Sequence, residues 1–209
     1  MPDKIQVAFL KKFKEFILRL LKEKRKVIVV TGGGATARHY QQAASKISKL
    51  TDEDKDWLGV HATRINAHLL RTIFKKEAYP VVLDSPHKPI KRNKHLLFIA
   101  SGWVPGFSTD YDAVLLAKRF KAKKMINASN ITHVYDRNKR PIERITWKDY
   151  RKLISAKWSP GMNVPFDPIA SKAAQKYGIT VIVAKGTDLK NLKSIVKNGK
   201  FEGTTIHPD

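Results

Sequence analysis

The sequence predicts an α/β protein with a mostly parallel sheet covered by helices, and three observations carry that prediction. Short apolar runs at residues 27–31, 96–100 and 179–184 alternate along the chain with stretches of helical period. The runs lack the strict in-out alternation of half-exposed strands, so they read as strands buried on both faces. Glycines and prolines mark the joins: Gly32-Gly33-Gly34, Gly102, Pro105-Gly106 and Gly178.

Each element has its own signal. Residues 7–24 space Phe9, Leu10, Phe13, Phe16, Ile17, Leu20 and Leu21 by threes and fours, giving an amphipathic helix with a lysine-rich outer face. The strand at 27–31 ends in the three glycines, and 36–50 has helical character. Thr51, followed three residues later by Asp54, starts a helix that runs to about Lys75. Its stripe of Trp57, Leu58, Ile65, Leu69, Leu70 and Ile73 is assigned to the core. A short strand is expected at 79–83 and a basic, proline-containing loop at 84–93. After the strand at 96–100 comes the stretch SGWVPGFSTDYD, residues 101–112, which leads into a helix over 112–120. Ser108, Thr109 and Asp110 are all N-cap types. A strand follows at 124–128, then a polar connection at 130–141 in which Val134-Tyr135 suggests a hairpin. Thr146 caps a short helix to residue 154. Residues 155–165 are rich in Gly and Pro and expected to be mobile. Asp167-Pro168 opens a helix that Gly178 ends, with Pro168 in the favoured first turn. A strand at 179–184, a helix at 188–196 and a short strand at 203–206 complete the chain. Only the region 130–144 is expected to be antiparallel.

Composition bounds the function. A chain of 209 residues with 42% hydrophobic content can bury a sizeable core as one domain. It has no cysteine, which removes disulfides and thiolate chemistry and fits a reducing compartment. The longest apolar runs are strand-sized, and lysines interrupt residues 9–26, so neither a membrane span nor a secretory signal is expected and the cytoplasm is the default. The charge stands out: 41 Lys and Arg against 18 Asp and Glu give +23. The bases are spread along the chain without interleaved aromatics. That pattern favours a generally basic surface suited to small anions over a dedicated nucleic-acid surface.

Three stretches are candidates for chemistry. Gly32-Gly33-Gly34 after a strand lets backbone N–H groups approach a phosphate, and Arg38 could add a charge-assisted contact. A plain helix-entry turn explains the glycines equally well. Asp56-x-x-Gly59-x-x-x-Thr63-x-x-Asn66 has helical spacing; Gly59 within a helix costs about 1 kcal/mol relative to Ala, tolerable where something must approach closely. Asp167 is either a simple cap or a carboxylate that orders a phosphate. The seven histidines show no metal-ligand spacing, and no Ser-His-Asp set or carboxylate pair stands out. In an open α/β sheet ligands bind beyond the carboxyl ends of strands, where a helix N-terminus suits an anion.

The order of these motifs is more specific than any one of them. Strand–GGG-x-x-x-R, D-x-x-G-x-x-x-T-x-x-N, P-G-x-S-T-D, N-A-S-N-x-x-x-V-Y-D, F-D-P-x-A and a closing G-T-x-I resemble the uridylate (UMP) kinases of the amino acid kinase family, over nearly all of residues 3–206. The resemblance implies a three-layer αβα sandwich, transfer of the γ-phosphoryl of Mg2+-bound ATP to UMP, a role in pyrimidine nucleotide biosynthesis, and a homo-oligomer, a hexamer built from dimers. By position it implies that Gly33 meets the UMP phosphate and Asp56 the ribose, with Trp103, Val104, Pro105, Gly106, Phe107, Ser108 and Thr109 around UMP. It puts Gly34, Arg38, Ser129, Tyr135 and Asn138 on the ATP side, and makes Asp110 and Asp167 the catalytic carboxylates. No metal-ligating residue is implied.

The sequence also departs from the family pattern. The family opens with a strand and a K-x-x-G-G-S loop that grips ATP phosphates, whereas here Met1 to Ile5 runs straight into the first helix. The expectation is therefore a single domain over 1–209 that is either truncated at its N-terminus, the full protein being the enzyme, or a nucleotide-binding relative that has lost the loop and has little or no kinase activity. In both cases the missing strand leaves a gap in the sheet and lowers stability. Trp103-Val104 replaces a more polar pair, Thr132-His133 stands where Asp-Gly is common, and Asn138 replaces an acidic residue.

Overall fold

In a computed structural model the described residues are 4–91, 94–154 and 164–208. The chain divides into two compact units, with the change falling inside one helix after Asp112. Most of the stretch expected to be mobile, residues 155–163, lies outside the described residues, as do residues 92 and 93 of the basic loop.

The first unit begins with helix α1 (Val7–Lys22), whose apolar face buries Ile17 and Leu20. Phe13 of α1 meets Phe74 edge-on, with ring centroids 6.5 Å apart. Strand β1 (Val27–Val30) pairs in parallel with β2 (Leu97–Ala100), Val27 opposite Leu97. Residues 97–100 are buried throughout, as expected. β1 is not: all four of its residues are half-buried. The reason is pairing, since among the described residues β1 bonds only to β2, while β2 has a neighbour on each side.

That second neighbour corrects the strand expected at 79–83. Tyr79 and Leu83 donate backbone N–H groups to Leu97 and Ile99, at 2.8 and 2.9 Å, but the segment forms only isolated bridges. Pro80, which has no N–H, interrupts a regular ladder. Helix α2 (Gly34–Ser45) starts and ends earlier than expected, directly from the glycine turn. Helix α3 (Asp52–Ile73) has a complete capping box: the Thr51 hydroxyl accepts from Asp54 N–H, and the Asp54 carboxylate accepts from Thr51 N–H.

The buried face of α3 is Val60, Ala62, Thr63, Asn66, Ala67 and Leu70. The stripe expected in the core is only partly there, for Trp57 is 38% and Ile65 64% exposed. Thr63 and Asn66 satisfy their polar groups on the neighbouring turns, so the helix can turn a polar-looking face inward and leave a Trp and an Ile outside.

Helix α4 (Thr109–Arg119) carries the chain into the second unit. There β3 (Lys124–Ser129) pairs in parallel with β7 (Thr180–Lys185), residue for residue from Lys124 opposite Thr180. The hairpin expected near Val134 is present as β4 (Val134–Tyr135) antiparallel to β5 (Pro141–Ile142). β6 (Arg144–Thr146) leads into α5 (Trp147–Leu153), with the Thr146 hydroxyl accepting from Asp149 N–H. Helix α6 (Pro168–Lys176) follows, then β7, α7 (Leu189–Val196) and β8 (Thr204–His207). The four-stranded sheet has the order β3-β7-β8-β6.

β8 lies antiparallel to β7, which extends the antiparallel part of the fold beyond the 130–144 region. After α7 the chain doubles back along that helix: the Asn191 side chain exchanges hydrogen bonds with the backbone of Glu202, and the Ser194 hydroxyl donates to Lys200 C=O. β8 therefore starts at the end where β7 stops. The core of this unit is Trp147, Tyr150, Phe166, Ile179, the 181–184 run, Ile195 and Ile206. Among the described residues, no helix is long and apolar enough to cross a membrane.

Candidate functional site

In the first unit the glycine turn, α3 and the loop after β2 converge. Each glycine has a physical reason. A Cβ on Gly33 would sit 2.7 Å from Ala37 Cβ and 3.2 Å from the backbone oxygen of Gly59, so Gly33 lets the turn approach α3 closely, whereas a Cβ on Gly59 would meet only Gln41 Nε2 at 3.4 Å. Gly34 has φ of +60°, a conformation that costs other residues about 1–2 kcal/mol. Gly32 lies against Thr109, 4.0 Å from its Oγ1 to the position of an added Cβ. Arg38 is exposed on α2.

Helix α3 fastens both loops. The Asn66 amide donates to the carbonyls of Gly32 and Gly33, at 2.8 and 3.3 Å. The Thr63 hydroxyl accepts from Gly102 N–H at 2.8 Å, and Arg64 donates to Trp103 C=O at 3.0 Å. Asp56, one helical stretch earlier, accepts from Gly106 N–H at 2.7 Å. Gly106 adopts φ of +84°, which aims that N–H at the carboxylate. Burial pushes the Asp56 carboxyl up from its ordinary value; the Gly106 hydrogen bond works against this, and nearby Asp52 adds to it.

The loop is also held from its far side. Asp112, buried on α4, accepts from Trp103 N–H at 3.0 Å. The Trp103 peptide is therefore gripped at both ends, N–H by Asp112 and C=O by Arg64. Trp103, Phe107 and Tyr111 stack in sequence, with centroids 6.1 and 4.7 Å apart, and His87 meets Trp103 edge-on. Ser108 caps α4, its hydroxyl accepting from Tyr111 N–H. Val104, Pro105, Thr109 and Asp110 are half-buried in the same stretch.

This unit thus brings together Gly33, Gly34, Asp56, Gly106 and Thr109 from three separate segments. Sequence reasoning passed over Arg64 and Asp112. An arginine directly after Thr63, and a second Asp two residues after Asp110, were the signals available for them.

The second unit holds the other candidates. Asp167 is 3% exposed and accepts from the N–H groups of Ile169 and Ala170, at 2.7 and 2.9 Å, as the cap of α6. Its position is fixed by its neighbour: the Tyr150 hydroxyl donates to Phe166 C=O at 2.6 Å and accepts from Phe166 N–H at 2.7 Å. Ser129 ends β3, and its backbone carbonyl accepts from Gly186 N–H at 2.7 Å. A Cβ on Gly186 would lie 2.9 Å from the carbonyl oxygen of Ala128, so that turn packs backbone on backbone.

Tyr135 is 43% exposed on the hairpin, its hydroxyl 2.9 Å from that of Thr132. Asn138 lies in the hairpin turn, where the Asp136 carboxylate accepts from the N–H groups of Asn138 and Arg140, both at 2.8 Å. Among the described residues, no group of three His, Cys, Asp or Glu side chains is placed to hold a metal. An open concavity of about 620 Å³ lined by Glu15, Leu18, Arg19, Leu21, Lys22 and Glu77 includes none of the candidate residues.

Known proteins resemble this chain over nearly its whole length. It is 32% identical to the uridylate kinase of Pyrococcus abyssi over 217 aligned residues, which span 99% of this chain and 94% of the relative. It is 31% identical to the uridylate kinase of Thermococcus kodakarensis, with the same coverage of each chain. Among solved structures, uridylate kinase from Archaeoglobus fulgidus superposes with a TM-score of 0.81 at 29% identity, covering 96% of this chain and 93% of that one. UMP kinase from Ureaplasma parvum, 19% identical with a TM-score of 0.74, covers 97% of this chain and 90% of its own and shares the fold. A sequence profile of the amino acid kinase family matches residues 2–185. With that match and these near full-length relatives, the chain belongs to the amino acid kinase family.

Proposed function

We propose that this protein is a UMP kinase, transferring the γ-phosphoryl group of ATP to UMP to give UDP and ADP. The observation that carries the reading is the near full-length identity to archaeal uridylate kinases, and the convergence of the glycine turn, Asp56 and the Gly106 loop supports it. The reaction makes a bond between a UMP phosphate oxygen and the γ-phosphorus and breaks the bond to the β-γ bridging oxygen, which leaves on ADP. Such transfers need positioning and charge neutralisation more than covalent help from the protein.

In the first unit the roles are acceptor roles, apart from those of Gly34 and Arg38. The turn at Gly33 presents backbone N–H groups to the UMP phosphate. Asp56 accepts from the ribose hydroxyls while holding the loop through Gly106. Residues 103–109 enclose the nucleoside, and Asp110 lies in the first turn of α4 beside the phosphate end. Gly34 and Arg38 serve the ATP phosphates. In the second unit Ser129, Tyr135 and Asn138 serve the ATP nucleoside, and Asp167 is a carboxylate of the transfer centre, held by the Phe166–Tyr150 pair. Magnesium enters as part of the Mg–ATP substrate. The protein forms one domain over residues 1–209 that assembles into a homo-oligomer, and it acts in the cytoplasm in pyrimidine nucleotide biosynthesis. The exposed Trp57 and Ile65, two turns apart on α3, support self-assembly through that helix.

The test is an acceptor screen with purified chain, Mg–ATP and a panel of UMP, CMP, AMP, carbamate and acylated amino acids, reading ADP release and the phosphorylated product. The expected result is UDP formation from UMP above all other acceptors, with UMP raising the melting temperature. Turnover of a carboxylate or carbamate in preference to UMP would instead assign another acceptor within the family.

A further inference from the structure

The dispersed basic residues become a single feature once the second unit is folded. Residues 118–124, 172–180 and 190–200 together contain eleven lysines and arginines and no Asp or Glu. Every one of those eleven side chains is exposed. The fold brings the ends of these segments to one edge of the sheet. Thr180 N–H donates to Lys123 C=O at 3.0 Å, where β3 and β7 begin. The Lys124 ammonium donates to Asn198 Oδ1 and Ile195 C=O, at 2.6 and 3.2 Å, joining the start of β3 to the end of α7. The Lys118 ammonium lies 4.2 Å above the ring of Tyr177, joining the end of α4 to the end of α6. Three helix C-termini and the start of a strand therefore meet in a rim of Arg119, Lys121, Lys123, Lys124, Lys176 and Lys197.

Helix dipoles account for part of this, since a cation near a helix C-terminus is stabilised by the negative end of the dipole. They do not account for Lys123 and Lys124, which belong to the start of a strand. Nor do they explain why none of the three segments carries an Asp or Glu among so many like charges. The rim lies at the opposite end of β3 from Ser129, about 16 Å along a strand of six residues, and so stands apart from the proposed nucleotide residue on that strand.

We propose that this rim binds the phosphate backbone of a double-stranded nucleic acid, without reading its bases. A second copy of the chain is a poor partner, because two cationic rims repel. A membrane surface is disfavoured because none of the large exposed hydrophobic side chains falls in these three segments, which leaves nothing to enter the acyl boundary. Single-stranded binding calls for exposed aromatic platforms; of the two aromatic rings in these segments, Tyr177 is covered by Lys118 and Phe120 is half-buried. Cations fixed on secondary structure, without stacking rings, match the sequence-independent phosphate contacts that dominate duplex binding.

The test measures binding of the full chain to a duplex of roughly 30 base pairs, made as DNA and as RNA, over a salt series starting at about 50 mM. Two variants of equal charge are compared with wild type: Lys121, Lys123, Lys176 and Lys197 all changed to Gln, and Lys11, Lys12, Lys46 and Lys49 all changed to Gln. If the rim is the site, the first variant binds at least tenfold more weakly, and its slope of log affinity against log salt is shallower by up to about 3.6, roughly 0.9 for each lost phosphate contact. The second variant keeps wild-type behaviour. Unchanged melting temperatures show that both variants fold. Equal weakening in both variants would overturn the proposal in favour of a diffuse field from the net charge. Absence of wild-type binding to either duplex, or tighter binding to phosphatidylserine vesicles than to duplex, would also overturn it.

Discussion

Asp56 is asked to do two things, hold a loop and meet a substrate, and its ionisation separates them. Because burial raises its carboxyl in the folded protein, its contribution to stability is present below the ordinary carboxyl value of 3.8 and is lost as pH rises through the folded value. At neutral pH the charged carboxylate is therefore a burden on the free protein. Asp56→Asn, which can still accept from Gly106 N–H, should melt no lower than wild type at pH 7 and fall behind it as the pH is taken toward 4. The same change should raise the KM for UMP about 10- to 100-fold, the loss of a charge-assisted hydrogen bond worth about 1.5–3 kcal/mol. An unaltered KM would remove Asp56 from the acceptor site. Gly33 makes the complementary point about shape. Gly33→Ala places a methyl 2.7 Å from Ala37 Cβ and 3.2 Å from a backbone oxygen, so it should cost about 1–3 kcal/mol by overpacking, seen as a lower urea midpoint. Gly106→Ala meets nothing within 4 Å and should destabilise through its positive φ alone, with Gly106→Asn recovering part of the loss.

At the scale of elements, α3 is the spine of the candidate acceptor site. Asn66 bonds to the glycine turn, Thr63 and Arg64 to the start of the loop, and Asp56 to its tip. The helix is anchored at its own start by the capping box. There the hydroxyl and N–H of Thr51 hold the Asp54 carboxyl below its ordinary value of 3.8. A depressed carboxyl stabilises the fold above that ordinary value and loses the benefit as pH falls through its folded value. Thr51→Ala also removes the helix cap, which by itself should cost about 1 kcal/mol at neutral pH. The gap from wild type should narrow as melts are repeated toward pH 2; a gap constant across that range would mean that the Asp54 charge plays no part. Helix α5 is built alike: Lys152 first, then Thr146, lowers the Asp149 carboxyl at its start.

At the scale of the whole molecule, the apolar side chains left outside on α3 make assembly testable. Ile65, 64% exposed, lies two helical turns from Trp57. If the protein self-associates through that helix, Ile65→Asp should shift light-scattering mass to a smaller species while leaving the melting of the isolated chain near that of wild type. An unchanged mass would place any assembly elsewhere. The same scale shows how the charge is used. The excess of 23 positive charges is diffuse along the chain, and folding sorts part of it onto one edge of the second unit.

Local signals fixed much of this protein in advance. Thr51, Thr146 and Asp167 each cap the helix they announced, because a cap is decided by a side chain and the N–H groups two or three residues on. The central strand and the hairpin at Val134 were legible for the same reason, being matters of local apolar run and turn. What needed the tertiary structure was every feature set by a distant partner. β1 is half-buried because pairing on a strand's second edge is not written in the strand. Trp57 and Ile65 lie outside because Thr63 and Asn66 find hydrogen-bond partners on other segments, a choice helical period cannot express. β8 runs antiparallel because Asn191 holds Glu202 at the start of α7. Arg64 and Asp112, which hold the C=O and the N–H of Trp103 from two helices, owe their role to the shape of a loop that no local signal sets.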